Sequence, residues 1–162
     1  MEMSKIVAVI GQMNVDLIYK DINRFPNEGE EVFATDFKIE LGGGPMVIPI
    51  MLNRLGIPVK LGTYFGDDFQ SRIASDLLND IRFHYVETLQ TRKKHPVVVT
   101  CVITTEAERS FVCYNEGADE LDCGPETIYE FYKSSSICFC PQDLSVARKL
   151  KEEGKILVFD VG

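Results

Sequence analysis

Basic side chains are in short supply: 17 Lys and Arg stand against 25 Asp and Glu, a formal net charge of −8. That balance argues against a surface for nucleic acid or for anionic lipid. No apolar run approaches the roughly 20 residues that span a bilayer. The opening stretch "MEMSKIVAVIGQMNVD" has no signal-peptide layout and reads as a first buried strand of a cytoplasmic protein. Histidine is limited to His84 and His95, neither in a ligand motif. Five cysteines without a secretory signal fit reduced thiols better than a disulfide frame. Cys138 and Cys140 alternate in "SICFCP" as strand residues would, and no second ligand pair is spaced to join them, so no metal site is expected. Repeats and low-complexity segments are also missing.

What remains is a chain of 162 residues, 45% hydrophobic and 26% charged, enough for one domain with a real core. Ile6 to Ile10 is a short β-branched run, continuous enough to be a buried strand. "EVFATDFKIEL" (31–41) behaves differently: Phe33, Phe37, Ile39 and Leu41 fall on one face, with Asp36, Lys38 and Glu40 on the other. That pattern is a half-exposed antiparallel strand. "HPVVVTCVITT" and "RSFVCYN", joined by the polar "EAE", form a pair of similar character over 97–114. Together these amphipathic strands make a small layer distinct from the main core.

The rest alternates helix and strand. "VKLGTYF" (59–65) reads as a strand, and Asp68 caps a helix in which Phe69, Ile73 and Leu77 share a face. Another helix begins after Pro125, with Ile128, Phe131 and Tyr132 inward. "SICFC" and "ILVFD" are buried strands bracketing a helix with Leu144, Ala147 and Leu150 inward and Gly154 as its stop. Buried strands separated by amphipathic helices indicate an α/β fold with a mostly parallel sheet. The sequence stops at Asp160-Val161-Gly162, directly after such a strand, where ligand-binding loops usually follow, so it reads as cut.

Gly42-Gly43-Gly44 follow a strand and precede a helix, which invites a dinucleotide site. The fingerprint fails, because Val47 stands where the third glycine belongs and the preceding strand is amphipathic. No Gly-Lys-Ser/Thr follows, so a Walker A loop is excluded too. Consecutive glycines instead suit a hinge beside a ligand, since backbone without Cβ can approach it closely. Pro49, beyond the first helical position, costs a helix interior about 3 kcal/mol unless the helix starts later.

Four stretches then come together: "GQMNVD" (11–16), the strand into "GGG" (42–44), "LNRLGIPVKLGTYFGDD" (52–68) and "ERSFVCYNEGAD" (108–119). Their order and content resemble the N-terminal half of the ribokinase (PfkB) family of carbohydrate kinases, over nearly the whole chain. The resemblance implies a ribokinase-like three-layer α/β/α fold with a small β-sheet lid built from the strands around 31–41 and 97–114, and lacking its C-terminal half. It implies substrate-binding roles for Asn14, Asp16, Gly42, Gly43 and Gln142. Asp16 would accept hydrogen bonds from sugar hydroxyls with charge assistance, although a turn or capping carboxylate would look the same in sequence. Asp68 is fully explained as a helix cap.

The resemblance has two departures. Val47 occupies the place of a sugar-binding Asn, which alters or removes that contact. The family's catalytic Asp, in a Gly-Ala-Gly-Asp signature, is missing, since the only Gly-Asp here is Gly66-Asp67. Members run to about twice this length. ATP and Mg²⁺ are implied for a full-length member and neither for this chain alone, which supplies at most the sugar side and the lid. A sugar or nucleoside is the implied small-molecule partner, and a homodimer through the lid strands the implied assembly. The competing reading is a non-catalytic module that self-associates through lid or cut-sheet strand edges.

Overall fold

The computed structural model describes residues 6–83, 85–116, 123–139, 141 and 143–160. In chain order its elements are β1 (Val7–Ile10), β2 (Asn14–Lys20), β3 (Asp36–Gly42), α1 (Gly44–Arg54), β4 (Val59–Tyr64), α2 (Phe69–Ile81) and β5 (Tyr85–Leu89). There follow β6 (Val98–Thr104), β7 (Arg109–Tyr114), α3 (Pro125–Tyr132), β8 (Ile137–Phe139), α4 (Leu144–Glu152) and β9 (Ile156–Val158). Five strands form one parallel sheet in the order β5-β4-β1-β8-β9. The other four form a mixed sheet, β3-β2-β6-β7, in which only the β2–β6 pair is parallel.

Side-chain alternation along β1 shows the layering. Ala8 and Ile10 join a core with Ile128, Phe131, Tyr132, Val146 and Leu150, the inward faces of α3 and α4. Val7 and Val9 point the other way, toward Val59 and Leu52 of the α1 side. The middle of the sheet is therefore covered on both faces, as buried parallel strands require, whereas the edge strand β9, expected buried, leaves Ile156 and Val158 exposed. Chain order reverses direction at β1, whose neighbours β4 and β8 lie on opposite sides of it. In open α/β sheets such a switch point, at the carboxyl ends of the strands, is where ligands bind.

Tyr132 braces that point. Its buried hydroxyl accepts from Ile10 N at 3.0 Å and donates to the Phe139 carbonyl at 2.8 Å, clamping the carboxyl ends of β1 and β8 together. Removing it leaves two backbone groups without this partner, so Tyr132→Phe is expected to cost about 1–3 kcal/mol. For a chain of this size that is roughly 2–4 °C of Tm per kcal/mol. An unchanged thermal midpoint would mean the clamp contributes nothing.

The helices end as their sequences direct. Asp68 accepts from Ser71 N at 2.8 Å and Asp143 from Val146 N at 3.0 Å, both N-caps. Gly154, with φ +81°, closes α4 as Lys155 N reaches back to Leu150 O at 3.0 Å. Ile128, Phe131 and Tyr132 are the buried residues of α3.

Other positions differ from the sequence pattern. In α2 the buried residues are Ser71, Ala74 and Leu78, and Phe69 is exposed. The reason is that α2 is wedged between the two sheets, with Ile73 turned toward the cluster that includes Val15 and Leu17 of β2. In α4, Leu144 lies on the flank and Val146 takes the inward place. α1 does not start late: Pro49 lies inside it and is fully buried, so packing offsets the hydrogen bond the ring removes. The strand expected over 31–41 spans only Asp36–Gly42, and Phe33 lies before it, exposed. Its apolar face is less covered than alternation implies, since Phe37 and Ile39 are also exposed. Asn14 to Asp16, read as a segment after the first strand, is itself the start of β2.

Candidate functional site

The chain passes from the parallel sheet into the mixed one within three residues. Gly11 N donates to Gly62 O at 3.0 Å, still in the register of β1 on β4. Gln12 Nε2 then donates to Pro96 O at 2.6 Å, and Val98 N to Met13 O at 2.9 Å, which ties this crossing to the start of β6. Asn14 and Asp16 follow on β2. Being two apart, they share one face of the mixed sheet.

Registers place the neighbours of that pair. On one side Gly42 lies opposite Asn14 and Glu40 opposite Asp16; on the other, Thr100 lies opposite Asp16. The Asp16 carboxylate leans over Gly42. A Cβ at position 42 would lie 2.1 Å from Asp16 Oδ2 and 2.7 Å from Cγ, so only glycine leaves the carboxylate where it is. Burial, and then the charge of Glu40, push the Asp16 carboxyl above the usual carboxylate range. Asn14 Nδ2 donates to the Thr100 hydroxyl at 2.9 Å.

The three glycines have three different tasks. Gly42 ends β3 and makes room for Asp16. Gly43 is the N-cap of α1 with φ +93°, the left-handed backbone that joins the strand to the helix. Gly44 is the first helical residue, with open space around its Cβ position. Glycine's backbone freedom is thus needed at Gly43, while Gly42 leaves room for the carboxylate.

Other expected residues are placed elsewhere. Gln142 lies outside the described residues, as do Cys140 and the Gly117-Ala118-Asp119 end of the fourth stretch. Val47 is exposed and lines an open groove of about 490 Å³ with Ile39, Glu40, Ile50, Met51 and Arg54. Asp68 is consumed as a cap, and Asp67 borders a cavity of about 680 Å³ with Lys94 and His95. Glu40, Thr100 and Gln12 were not singled out by the sequence. Thr100 could have been, as a polar residue at a buried position of "PVVVTCVIT", whereas the pairing of Glu40 with Asp16 depends on register.

Comparison with known proteins decides what this arrangement belongs to. The family profile described as pfkB family carbohydrate kinase matches residues 4–141. The chain belongs to the pfkB family of carbohydrate kinases. No curated protein matches it. Among solved structures, Arabidopsis thaliana ribokinase complexed with ribose and ATP is 22% identical, with a TM-score of 0.74 over 99% of this chain and 54% of that one. A microbiome-derived acarbose kinase is 16% identical, with a TM-score of 0.76 over 98% and 54%. The nucleoside kinase of Methanocaldococcus jannaschii, an archaeal member of the ribokinase family, is 16% identical, with a TM-score of 0.57 over 98% and 52%. At these identities the likeness shows the fold. The pfkB chain described here spans about half the length of these structures.

Among the described residues no helix is long and apolar enough to cross a membrane. Nor does any group of three His, Cys, Asp or Glu among them suit a metal ion.

Proposed function

We propose that these residues form the sugar-binding and lid half of an ATP-dependent carbohydrate kinase, with a sugar or nucleoside as the small-molecule substrate. The observation that carries the reading is the Asp16 carboxylate seated over Gly42, beside Asn14, at the switch point of a pfkB-family fold. A carboxylate there accepts hydrogen bonds from two hydroxyls with charge assistance, and the Asn14 amide adds a donor and an acceptor. Holding the acceptor hydroxyl in place is the larger part of catalysing phosphoryl transfer. The mixed sheet acts as the lid, turning at Gly43 to exclude water. The base and the nucleotide cradle lie outside this set of residues, so the chain alone is inactive and ATP and Mg²⁺ act in the full-length enzyme, in the cytoplasm. Gln142 is a further candidate sugar contact.

The test is calorimetric titration of pentoses, hexoses and nucleosides into the chain, with Asp16→Ala as control. Saturable binding that the variant loses supports the reading; a folded chain that binds none of them overturns it.

The raised Asp16 pKa gives a pH signature. Sugar affinity requires the ionised carboxylate, so it falls as pH drops through that raised value. Glu40→Gln removes one of the two causes, and the acid limb of affinity against pH is expected to move to lower pH. An unmoved limb would show that Glu40 does not act on Asp16. Folding responds with the opposite sign. Because the folded-state pKa lies above the unfolded one, the protonated group favours the fold below the unfolded pKa, and this contribution is lost as pH rises through the folded pKa.

A second reading rests on the other face of the lid. Tyr19, Phe37, Ile39, Val112 and Tyr114 share that face by register and are all exposed. Such a patch suits burial against a second copy, so we assign a homodimer through the lid strands. In its strongest form this is a non-catalytic module that only self-associates. Sedimentation showing a monomer at high concentration would remove both versions.

A further inference from the structure

Among the described residues the Asn14 side chain is held from one side only. Its Nδ2 donates to Thr100 Oγ1 at 2.9 Å, and its Oδ1 lies 3.1 Å from the same hydroxyl. Thr100 is 3% exposed, so its hydroxyl cannot trade these partners for water. It faces Asp16 in the β2–β6 register and Cys113 in the β6–β7 register, and its Oγ1 lies 3.4 Å from Cys113 Sγ. Asn14 Nδ2 donates to Thr100, and the Thr100 O–H donates in turn either to one lone pair of Asn14 Oδ1 or to the thiol sulfur, a weaker acceptor. Either way the second N–H and a lone pair of the carbonyl oxygen of Asn14 remain for a ligand.

We infer that Thr100 is the positioning residue of this site: its buried hydroxyl fixes the Asn14 amide beside Asp16, so that together they offer one donor and several acceptors to adjacent hydroxyls of a sugar. The inference rests on the proposed sugar site and adds to it a specificity consequence. A fixed amide discriminates the arrangement of neighbouring hydroxyls, because a sugar that presents an acceptor where the oriented carbonyl needs a donor leaves a desolvated group unpaired. An amide free to turn would accept either. Thr100 itself need not touch the sugar.

Thr100→Val keeps the shape and removes the hydroxyl, while Thr100→Ser keeps the hydroxyl. By calorimetry with the sugar that wild type binds best, Thr100→Val is expected to weaken binding about tenfold, the effect of one lost hydrogen bond. Thr100→Ser is expected to stay near wild type, with thermal midpoints showing that both fold. The Val variant should also discriminate less between that sugar and its epimers. In the ligand-free protein, the Asn14 side-chain amide resonances should shift in Thr100→Val and not in Thr100→Ser. Should the Val variant not fold, Thr100→Ala gives the same readouts. Wild-type affinity and an unmoved Asn14 signal in the Val variant would overturn this inference alone, as would equal weakening by Val and Ser. A wild-type chain that binds no sugar would overturn the functional reading and this inference with it.

Discussion

Gly42→Ala is expected to reduce sugar affinity about a hundredfold while leaving the chain folded. The added Cβ would stand 2.1 Å from Asp16 Oδ2 and 2.7 Å from its Cγ, closer than side-chain atoms pack, so the carboxylate must swing away. Hydrogen bonds to a charged group are worth about 1.5–3 kcal/mol each, and losing one or two of them gives the expected factor. Folding should suffer little, because alanine is the better strand residue by conformational entropy, roughly 0.5–1 kcal/mol. A change that hardly moves the thermal midpoint yet removes binding separates site geometry from stability. The double variant with Asp16→Ala should bind no worse than Asp16→Ala alone, since both changes remove the same carboxylate from the same place. Wild-type affinity in Gly42→Ala would mean that the sugar does not use this carboxylate.

Much of the fold was legible because periodicity reports burial directly. Val7 to Ile10 and Ile137 to Phe139 are continuous apolar runs and became inner strands of the parallel sheet, as did Val59 to Tyr64, where Lys60, Gly62 and Thr63 interrupt the apolar residues. α3 matched its inward face residue for residue, because it packs on a single surface. Where an element touches two surfaces, one periodicity cannot describe it. That is why Phe69 was expected inward on α2, a helix wedged between two sheets. Pro49 misled in the opposite direction: propensity argues for a later helix start, and burial of the ring overrides it.

The candidate site was legible in its chain-local parts and opaque in the rest. Asn14, Asp16 and the two glycines stand in short motifs that the family resemblance could pick out. Thr100 and Glu40 reach Asp16 only through registers that join residues 84 and 24 positions away. Such pairings depend on how the strands slide against each other, and a slip of one residue would send both side chains to the other face. The roles of Gly42 and Gly43 also needed coordinates, since sequence alone assigns both to a hinge.

Phe131→Ala is expected to be the most destabilising single change, at about 3–5 kcal/mol. Natural domains are stable by only about 5–15 kcal/mol, so this one substitution consumes a large share of the margin. Phe131 is 1% exposed and meets Tyr132 edge-on at 5.2 Å between ring centroids. Lys60 Nζ lies 4.2 Å from its ring centroid and 2.9 Å from its carbonyl oxygen. The ring also fills the space above Gly62, where a Cβ would come within 2.8 Å of Cε2. Gly62→Ala alone should therefore overpack the core and cost about 1–3 kcal/mol. Once the ring is gone the methyl has room, so the double variant should be more stable than the sum of the two singles implies. Urea denaturation of all four proteins measures this coupling; strict additivity would show that the two positions do not share the space. Gly62 is the β4 partner of Ile10 and accepts from Gly11 N, immediately before the chain turns toward Asn14. Stability lost at Phe131 should therefore loosen the carboxyl end of β1 first, raising amide exchange at Gly11 more than in the β6–β7 hairpin of the mixed sheet.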